Sequence, residues 1–399
     1  MKITRIRALT VPLRSCIRNA QVSFAEMTGS IVVVDSDVVR QGRRLSGLGF
    51  GSIGRYASTA IITDRLIPRL MKASPADYVD ARDGLDPMRA WEIMMRNEKP
   101  GGHGERSTAV GAVDMALWDL AAKIEDVPLW RLLANRYNAG CADEAVPVYA
   151  AGGYYKETND VDALRREIAG HLAAGYSAVK IKIGGAPLAD DLRRVRAAIA
   201  EAGDGCKVAV DANGRFDLAT ACSYASELAA LGVRWFEEPG DPLDYTLQAE
   251  LGARHPMPYA AGENLFSHQD VRNLVRHAGL RTGRDTLQMD PALSYGLPEY
   301  MRMLDVLRAA GWSPRSCVPH GGHQFSLHVA AGLQIGGNEA YPGVFQPFGG
   351  FGPDAVVKDG TVCPSATPGI GIEQKSDLMA LFAPLLNGQV RKVHISSCL

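Results

Sequence analysis

Residues 179–185 read "VKIKIGG". Val179, Ile181 and Ile183 alternate with Lys180 and Lys182. The two-residue period of a strand therefore puts both lysines on one face and the β-branched residues on the other. On an open sheet that lysine face meets water. In a closed barrel it meets a charged interior. The chain on either side decides between them.

From about residue 146 onward one pattern recurs. A short apolar strand ends in polar or small residues, and a helical stretch follows that closes on glycine. The closures fall at Gly175, Gly203, Gly232, Gly252, Gly279, Gly311 and Gly332. Glycine after the last helical turn supplies a left-handed C-cap without steric cost. The strands between them read "VPVYAAGG", "AVKIKIG", "KVAVDAN", "VRWFEEP", "PYAAGEN", "TLQMDPA", "CVPHGG" and "LQIGGNEAY". Strand–helix repetition of this kind implies parallel strands and crossover helices. Eight parallel strands close a barrel whose reactive groups gather at the strands' C-terminal ends.

One ionisable residue stands at that end of seven consecutive units: Lys182, Asp211, Glu237, Glu263, Asp290, His320 and Glu339. They are spaced 29, 26, 26, 27, 30 and 19 residues apart. Alone, each reads as a helix N-cap or a solvated loop group. In series they imply one shared cavity, with Lys182 at its mouth and Lys180 one layer deeper.

Asp211, Glu237 and Glu263 come from adjacent strands, so their carboxylates converge. Three such charges repel one another unless a cation neutralises them. All-oxygen donors favour a hard divalent ion, Mg²⁺ before Mn²⁺. No Cys/His spacing points to zinc. Lys182 flanks this group on one side and His320 approaches from the opposite wall. Asp290 can accept the second ring N–H of His320 and fix its tautomer. A cation between two proton-transfer groups suits abstraction of a proton α to a carboxylate. A neighbouring cation and partial burial favour the neutral amine of Lys182 that a base needs.

Composition bounds the rest. A chain of 399 residues exceeds the size at which single cores stop growing, which predicts two domains. Its 46% hydrophobic and 22% charged residues are those of a water-soluble globular protein. A net charge of −1 gives no reason to expect nucleic acid or an acidic membrane as partner. Seven scattered cysteines fit a reducing compartment better than a disulfide framework. The start, "MKITRIRALTVPL", lacks the apolar run of a signal peptide, and no stretch is apolar enough to span a membrane. The expected location is the cytoplasm.

At these residues the chain resembles the enolase superfamily, mandelate racemase subgroup. The K-x-K motif matches Lys180 to Lys182, and the metal ligands match Asp211 in "VDAN", Glu237 in "FEEP" and Glu263 in "GEN". The His-Asp dyad matches His320 in "PHGGH" and Asp290 in "LQMD", and an electrophilic glutamate matches Glu339 in "GGNEAY". The resemblance implies an α/β fold, a (β/α)7β modified TIM barrel with an α+β capping domain. Residues 1–140 would form the N-terminal part of the cap, 141–360 the barrel, and 361–399 a segment returning to the cap. "KITRIRALTVPL", "GSIVVVDSDVV" and "RLSGLGFGS" read as a three-strand meander, followed by helices near 58–70, 87–96 and 107–125.

The loop segments "SCIRNA", "NEKPGGHGERS", "AGGYY", "EEPGDPLDY", "GENLFSHQD", "ALSYGL" and "FQPFGGF" are similar to those of the D-tartrate dehydratase members of this subgroup. Pro291, after Asp290, departs from the expected small residue. The likeness implies conversion of D-tartrate to oxaloacetate and water with Mg²⁺. Lys182 would be the base, His320 the acid for the leaving β-hydroxyl, and Glu339 a protonated donor to the substrate carboxylate. Asn213 would join Lys182, His320 and Glu339 in contacting substrate, and Lys180 would support the catalytic group. The second carboxylate needs a cation from the cap, for which Lys99 is the candidate, with Asn19 as its polar partner. By itself Lys99 reads as a solvated loop lysine. His103 and His323 read as supporting or surface groups, and Trp118, Trp130 and Trp235 as core packing. The partner implied is a small hydroxy-dicarboxylate, and the assembly a homo-oligomer. The rival readings are another acid-sugar dehydratase or a 2-hydroxyacid racemase of the same fold, a Schiff-base lyase acting through Lys182, and a non-catalytic metal scaffold.

Overall fold

In the computed structural model residues 1–388 are described; residues 389–399, the end of the expected returning segment, lie outside them. The chain begins with an antiparallel meander of β1 (Ile3–Pro12), β2 (Thr28–Arg40) and β3 (Arg43–Phe50) in that spatial order. Ile31, Val32, Val33 and Val34 on β2 are wholly buried, an unbroken apolar run rather than an alternation. Such a run marks a strand covered on both faces. Helix α1 (Arg106–Glu125) packs on β2 and β3, and a C-terminal helix, Ser376–Leu386, packs on β1 and β2. Gly49 lets α1 lie this close: a methyl group there would stand 2.3 Å from the carbonyl oxygen of Ala112. Helical stretches 59–72 and Pro87–Met94 complete this layer, near the expected positions.

The barrel follows. Its parallel strands are β4 (Val146–Ala151), β5 (Ala178–Lys182), β6 (Lys207–Asp211), β7 (Phe236–Glu237), β8 (Tyr259–Ala261), β9 (Thr286–Leu287) and β10 (Asn338–Ala340). Each of the first five pairs with the next, and β10 pairs with β4. The seventh expected strand, "CVPHGG", is reduced to a single bridge between Leu287 and Cys317. Pro319 has no N–H to give a ladder. Val318 N–H still reaches Leu287 O at 2.8 Å and His320 N–H reaches Gln288 O at 3.2 Å, while Gly336 N–H bonds Cys317 O at 2.7 Å. Those bonds carry the ring from β9 across to β10. Helices Asp160–Ala173, Leu188–Ala202, Leu218–Leu231, Tyr245–Arg254, His268–His277, Leu297–Ala309 and Gln324–Leu333 lie between the strands.

Two of the seven expected glycine closures are not closures. Gly252 lies within Tyr245–Arg254, and Gly332 within Gln324–Leu333. Gln334, in the left-handed region at φ 51°, ends the latter helix. Gly332 serves close packing instead, since a side chain there would meet Trp130 O at 2.6 Å.

The lysine face points inward. Lys180 is 1% exposed and Lys182 6%, so both project into the lumen. Among the described residues no helix is long and apolar enough to cross a membrane.

Candidate active site

The strand ladder sets the floor of the site. Lys182 on β5 pairs with Asp211 on β6, and Asp211 pairs with Glu237 on β7. Residues paired across parallel strands project to the same face, so one row of the barrel carries a cation and two carboxylates side by side. Glu263, two residues beyond the end of β8, completes the group. Ligand oxygens of Asp211, Glu237 and Glu263 lie within 4.8 Å of one another.

The surroundings hold each group in place. Lys182 Nζ donates to Asp211 Oδ2 at 2.5 Å. Lys180 Nζ, one layer deeper, sits 2.5 Å from Glu237 Oε1 and 2.8 Å from Glu339 Oε1. Trp235 Nε1 and Gln288 Nε2 donate to the other oxygen of Glu237 at 2.9 and 2.8 Å. Trp235 therefore does more than pack the core. Asn213 donates to Asp211 Oδ2 through its side chain, at 3.2 Å, and lines the cavity above. Its own Oδ1 is buried without a partner.

Electrostatics show what the carboxylates lack. Burial, reinforced by Asp211 and Glu263 and opposed by Lys180, pushes Glu237 up to about 8. Crowded carboxylates in low dielectric take up protons unless a cation replaces them. Three carboxylates, a nearby orphaned amide oxygen and no soft ligand form a donor set suited to Mg²⁺.

His320 occupies the opposite flank. Its Nδ1 lies 3.1 Å from Asp290 Oδ2, and its Nε2 lies 3.0 Å from Tyr341 Oη and 3.8 Å from Glu263 Oε2. Asp290 also accepts from Ser52 Oγ of the cap at 2.6 Å and from Ala292 N–H at 2.7 Å. Burial disfavours the imidazolium, but Glu263, the bond to Asp290 and Glu339 outweigh it and raise His320 to about 9. It is thus protonated at neutral pH.

Two further charges are set by the side chains beside them. Burial works against the Lys182 ammonium, yet Asp211, aided by Tyr154 and Glu263, holds its pKa above the ordinary lysine value. The pairing with Asp211 thus favours the ammonium form of Lys182. At Glu339 burial opposes the charge, but Lys180 and His320 keep its carboxyl below the usual range. Gly321 N–H donates to its Oε2 at 3.0 Å. Glu339 and Lys180 lie beneath the cavity rather than in its lining.

The cavity measures about 200 Å³. Lys182, Glu263 and His320 open onto it from the barrel, Asn19 and Arg55 from the cap. Phe24, Tyr154, Phe345 and Tyr341 form one continuous aromatic wall, with ring centroids 4.8–6.3 Å apart. Asn19 lines the cavity, but its side-chain oxygen accepts from Gln21 and Val22 N–H and folds its own loop. Lys99 is not there. It is exposed and borders a separate groove with Trp91, His103 and Tyr295, because the loop after it runs outward to the start of α1. His103 braces that loop through Tyr295 Oη and Asp270. His323 caps helix Gln324–Leu333.

Sequence reading missed Tyr341, Tyr154, Ser52, Arg55 and the pair Glu238–Asn264. Tyr341 carried a signal, since it stands two residues beyond Glu339 and shares its face. Ser52 and Arg55 had none, because their loop reaches the site only through docking of the cap.

Residues 10–134 match the family described as Mandelate racemase / muconate lactonizing enzyme, N-terminal domain, and residues 163–378 match Enolase C-terminal domain-like. The chain belongs to this family. It is 30% identical to an arabinonate dehydratase of Saccharolobus solfataricus over 61% of its own length and 63% of that protein's. It is 26% identical to an L-talarate/galactarate dehydratase of Salmonella typhimurium over 82% and 77%. The structure of an L-talarate dehydratase from Polaromonas sp. JS666 complexed with Mg and L-glucarate superposes with a TM-score of 0.76, at 25% identity, over 95% of this chain and 96% of that one.

Proposed function

We propose that this protein is a Mg²⁺-dependent dehydratase of a small hydroxy-dicarboxylate, with D-tartrate as substrate and oxaloacetate and water as products. The observation that carries this reading is the placement of Lys182 and His320 on opposite flanks of one carboxylate trio, both opening onto the same small cavity. Relatives named as dehydratases of sugar acids support elimination of water as the reaction class. A cavity of about 200 Å³ lies below the range that encloses drug-sized ligands and suits a small acid.

Asp211, Glu237 and Glu263 would hold the ion. An ion held there would supply positive charge to the substrate carboxylate. Lys182, once its own proton has passed to solvent, removes the α-proton on its face of the substrate as the free amine. The electron pair left behind expels the hydroxyl on the neighbouring carbon. Protonated His320 gives that hydroxyl its Nε2 proton, so it leaves as water. Asp290 holds the Nδ1–H throughout and keeps Nε2 aimed into the cavity. The enol product then ketonises to oxaloacetate. Lys182 ends protonated and His320 neutral, and exchange with solvent restores both.

The test is a panel of stereodefined tartrates, aldarates and aldonates with Mg²⁺, following keto-acid formation. Fastest turnover of D-tartrate is expected. Preference for a five- or six-carbon acid, or inversion at the α-carbon without loss of water, would replace this reading with its rivals.

A further inference from the structure

We propose that Arg55 is the residue that selects a dicarboxylate, by pairing with the carboxylate that lies away from the metal ligands. This deepens the reading above and rests on it for the identity of the substrate.

Three cationic side chains line the cavity: Lys182, His320 and Arg55. Lys182 is paired with Asp211 and His320 with Asp290. Arg55 has no carboxylate partner among the described residues. Its guanidinium instead donates to its own Gly54 O at 2.7 Å and to Asn264 Oδ1 at 2.5 Å, and lies over the Phe266 ring at 5.1 Å. Asn264 is fixed in turn, because its Nδ2 donates to both oxygens of Glu238 at 3.0 and 2.9 Å. The group is thus oriented by neutral contacts and makes no direct ion pair among the described residues.

A guanidinium carries five donors in a rigid planar fork. Two contacts to neutral oxygens leave donors for a bidentate carboxylate. Arg55 comes from the cap and the metal ligands from the barrel, so each carboxylate of a diacid bridging the cavity would meet a cation, the ion held by the trio at one end and Arg55 at the other. A monoacid would meet only one. Leaving a half-buried charge unpaired in the complex carries a penalty, so the site should favour acids that carry the second carboxylate.

The experiment separates recognition from turnover. Succinate and butanoate have the same chain length, carry no hydroxyl to lose, and differ by one carboxylate. Their binding to the Mg²⁺-loaded enzyme is measured by calorimetry for the native protein, Arg55→Met and Arg55→Lys. The native protein should bind succinate roughly 10-fold or more tightly than butanoate. Arg55→Met should bind the two alike, and Arg55→Lys should keep part of the preference. With D-tartrate, Arg55→Met should lose roughly 10²-fold in kcat/KM, mostly through KM. Equal native affinity for the two acids, or a preference that survives in Arg55→Met, overturns the proposal. If the native protein prefers succinate but turns over no acid in the panel, the dehydratase reading fails and the role of Arg55 stands.

Discussion

Two buried lysines in this molecule each sit between two carboxylates, one in the barrel and one in the cap. Lys180 lies between Glu237 and Glu339. Lys123, on α1, lies between Asp119 and Glu373. Their chemistry is the same and their settings differ. In the cap, the oxygens of Asp119 also accept Leu48 N–H at 2.8 Å and Ile370 N–H at 2.7 Å. The cluster therefore stitches β3, α1 and the chain after residue 369 together, and both oxygens of Asp119 are engaged. In the barrel, the row above Lys180 opens onto a cavity with an orphaned Asn213 oxygen and a Glu237 driven up by its neighbours. A satisfied buried ion cluster holds a fold together. One with unmet demand at a cavity is equipped to bind and react.

The comparison can be broken most directly at the open cluster. Lys182→Ala should cut keto-acid formation by roughly 10³-fold or more and abolish exchange of the substrate α-proton with D₂O. The thermal midpoint in Mg²⁺ should hardly move. Near-native turnover would remove Lys182 from the reaction.

Lys123→Met tests the closed cluster, where removing one member of a buried ion group should destabilise by about 3–5 kcal/mol. Denaturant unfolding measures it. The fraction that remains folded should keep its native kcat. A fall in kcat for folded enzyme would mean that the two clusters are functionally one.

His320→Asn sharpens the division of labour within the open cluster. Loss of water should slow by roughly 10²-fold, while exchange of the α-proton through Lys182 persists. Simultaneous loss of exchange and elimination in a folded variant would refute divided roles.

The smallest effect belongs to a junction between the layers. His328 Nδ1 accepts from Trp130 N–H at 3.2 Å, and its Nε2 lies 3.1 Å from Ile370 O. Burial lowers His328 to about 4, against 6.5 ordinarily. The folded state therefore favours the neutral ring. Its contribution is complete above pH 6.5 and drains away as pH falls toward 4, because only the unfolded chain takes up the proton. By pH 5 the loss should be on the order of 2 kcal/mol. His328→Gln should remove this part of the acid dependence between pH 7 and 5, and an unchanged slope would show that His328 does not contribute it.

The strand ends were legible because a barrel turns sequence period into position. Alternation in "VKIKIGG" put Lys180 and Lys182 on one face, and regular spacing brought Asp211, Glu237 and Glu263 to one rim. The same logic failed where another constraint took over. Pro319 removed a strand's donor and Gly332 served packing instead of capping. The counter-charges beside Lys182 and Glu339 come from other strands, and the structure shows them as Asp211 and Lys180.

What the sequence alone determined was the barrel and its reactive floor, because residues of one strand row are tied to one another through local period and parallel register. Only the tertiary structure decided the roof. Arg55 rather than Lys99 faces the cavity, Ser52 supports Asp290, and Phe24 joins Tyr154 and Phe345 in one wall. Those residues lie on loops of the other layer, and no periodicity within a loop records where a separately built domain will dock against it.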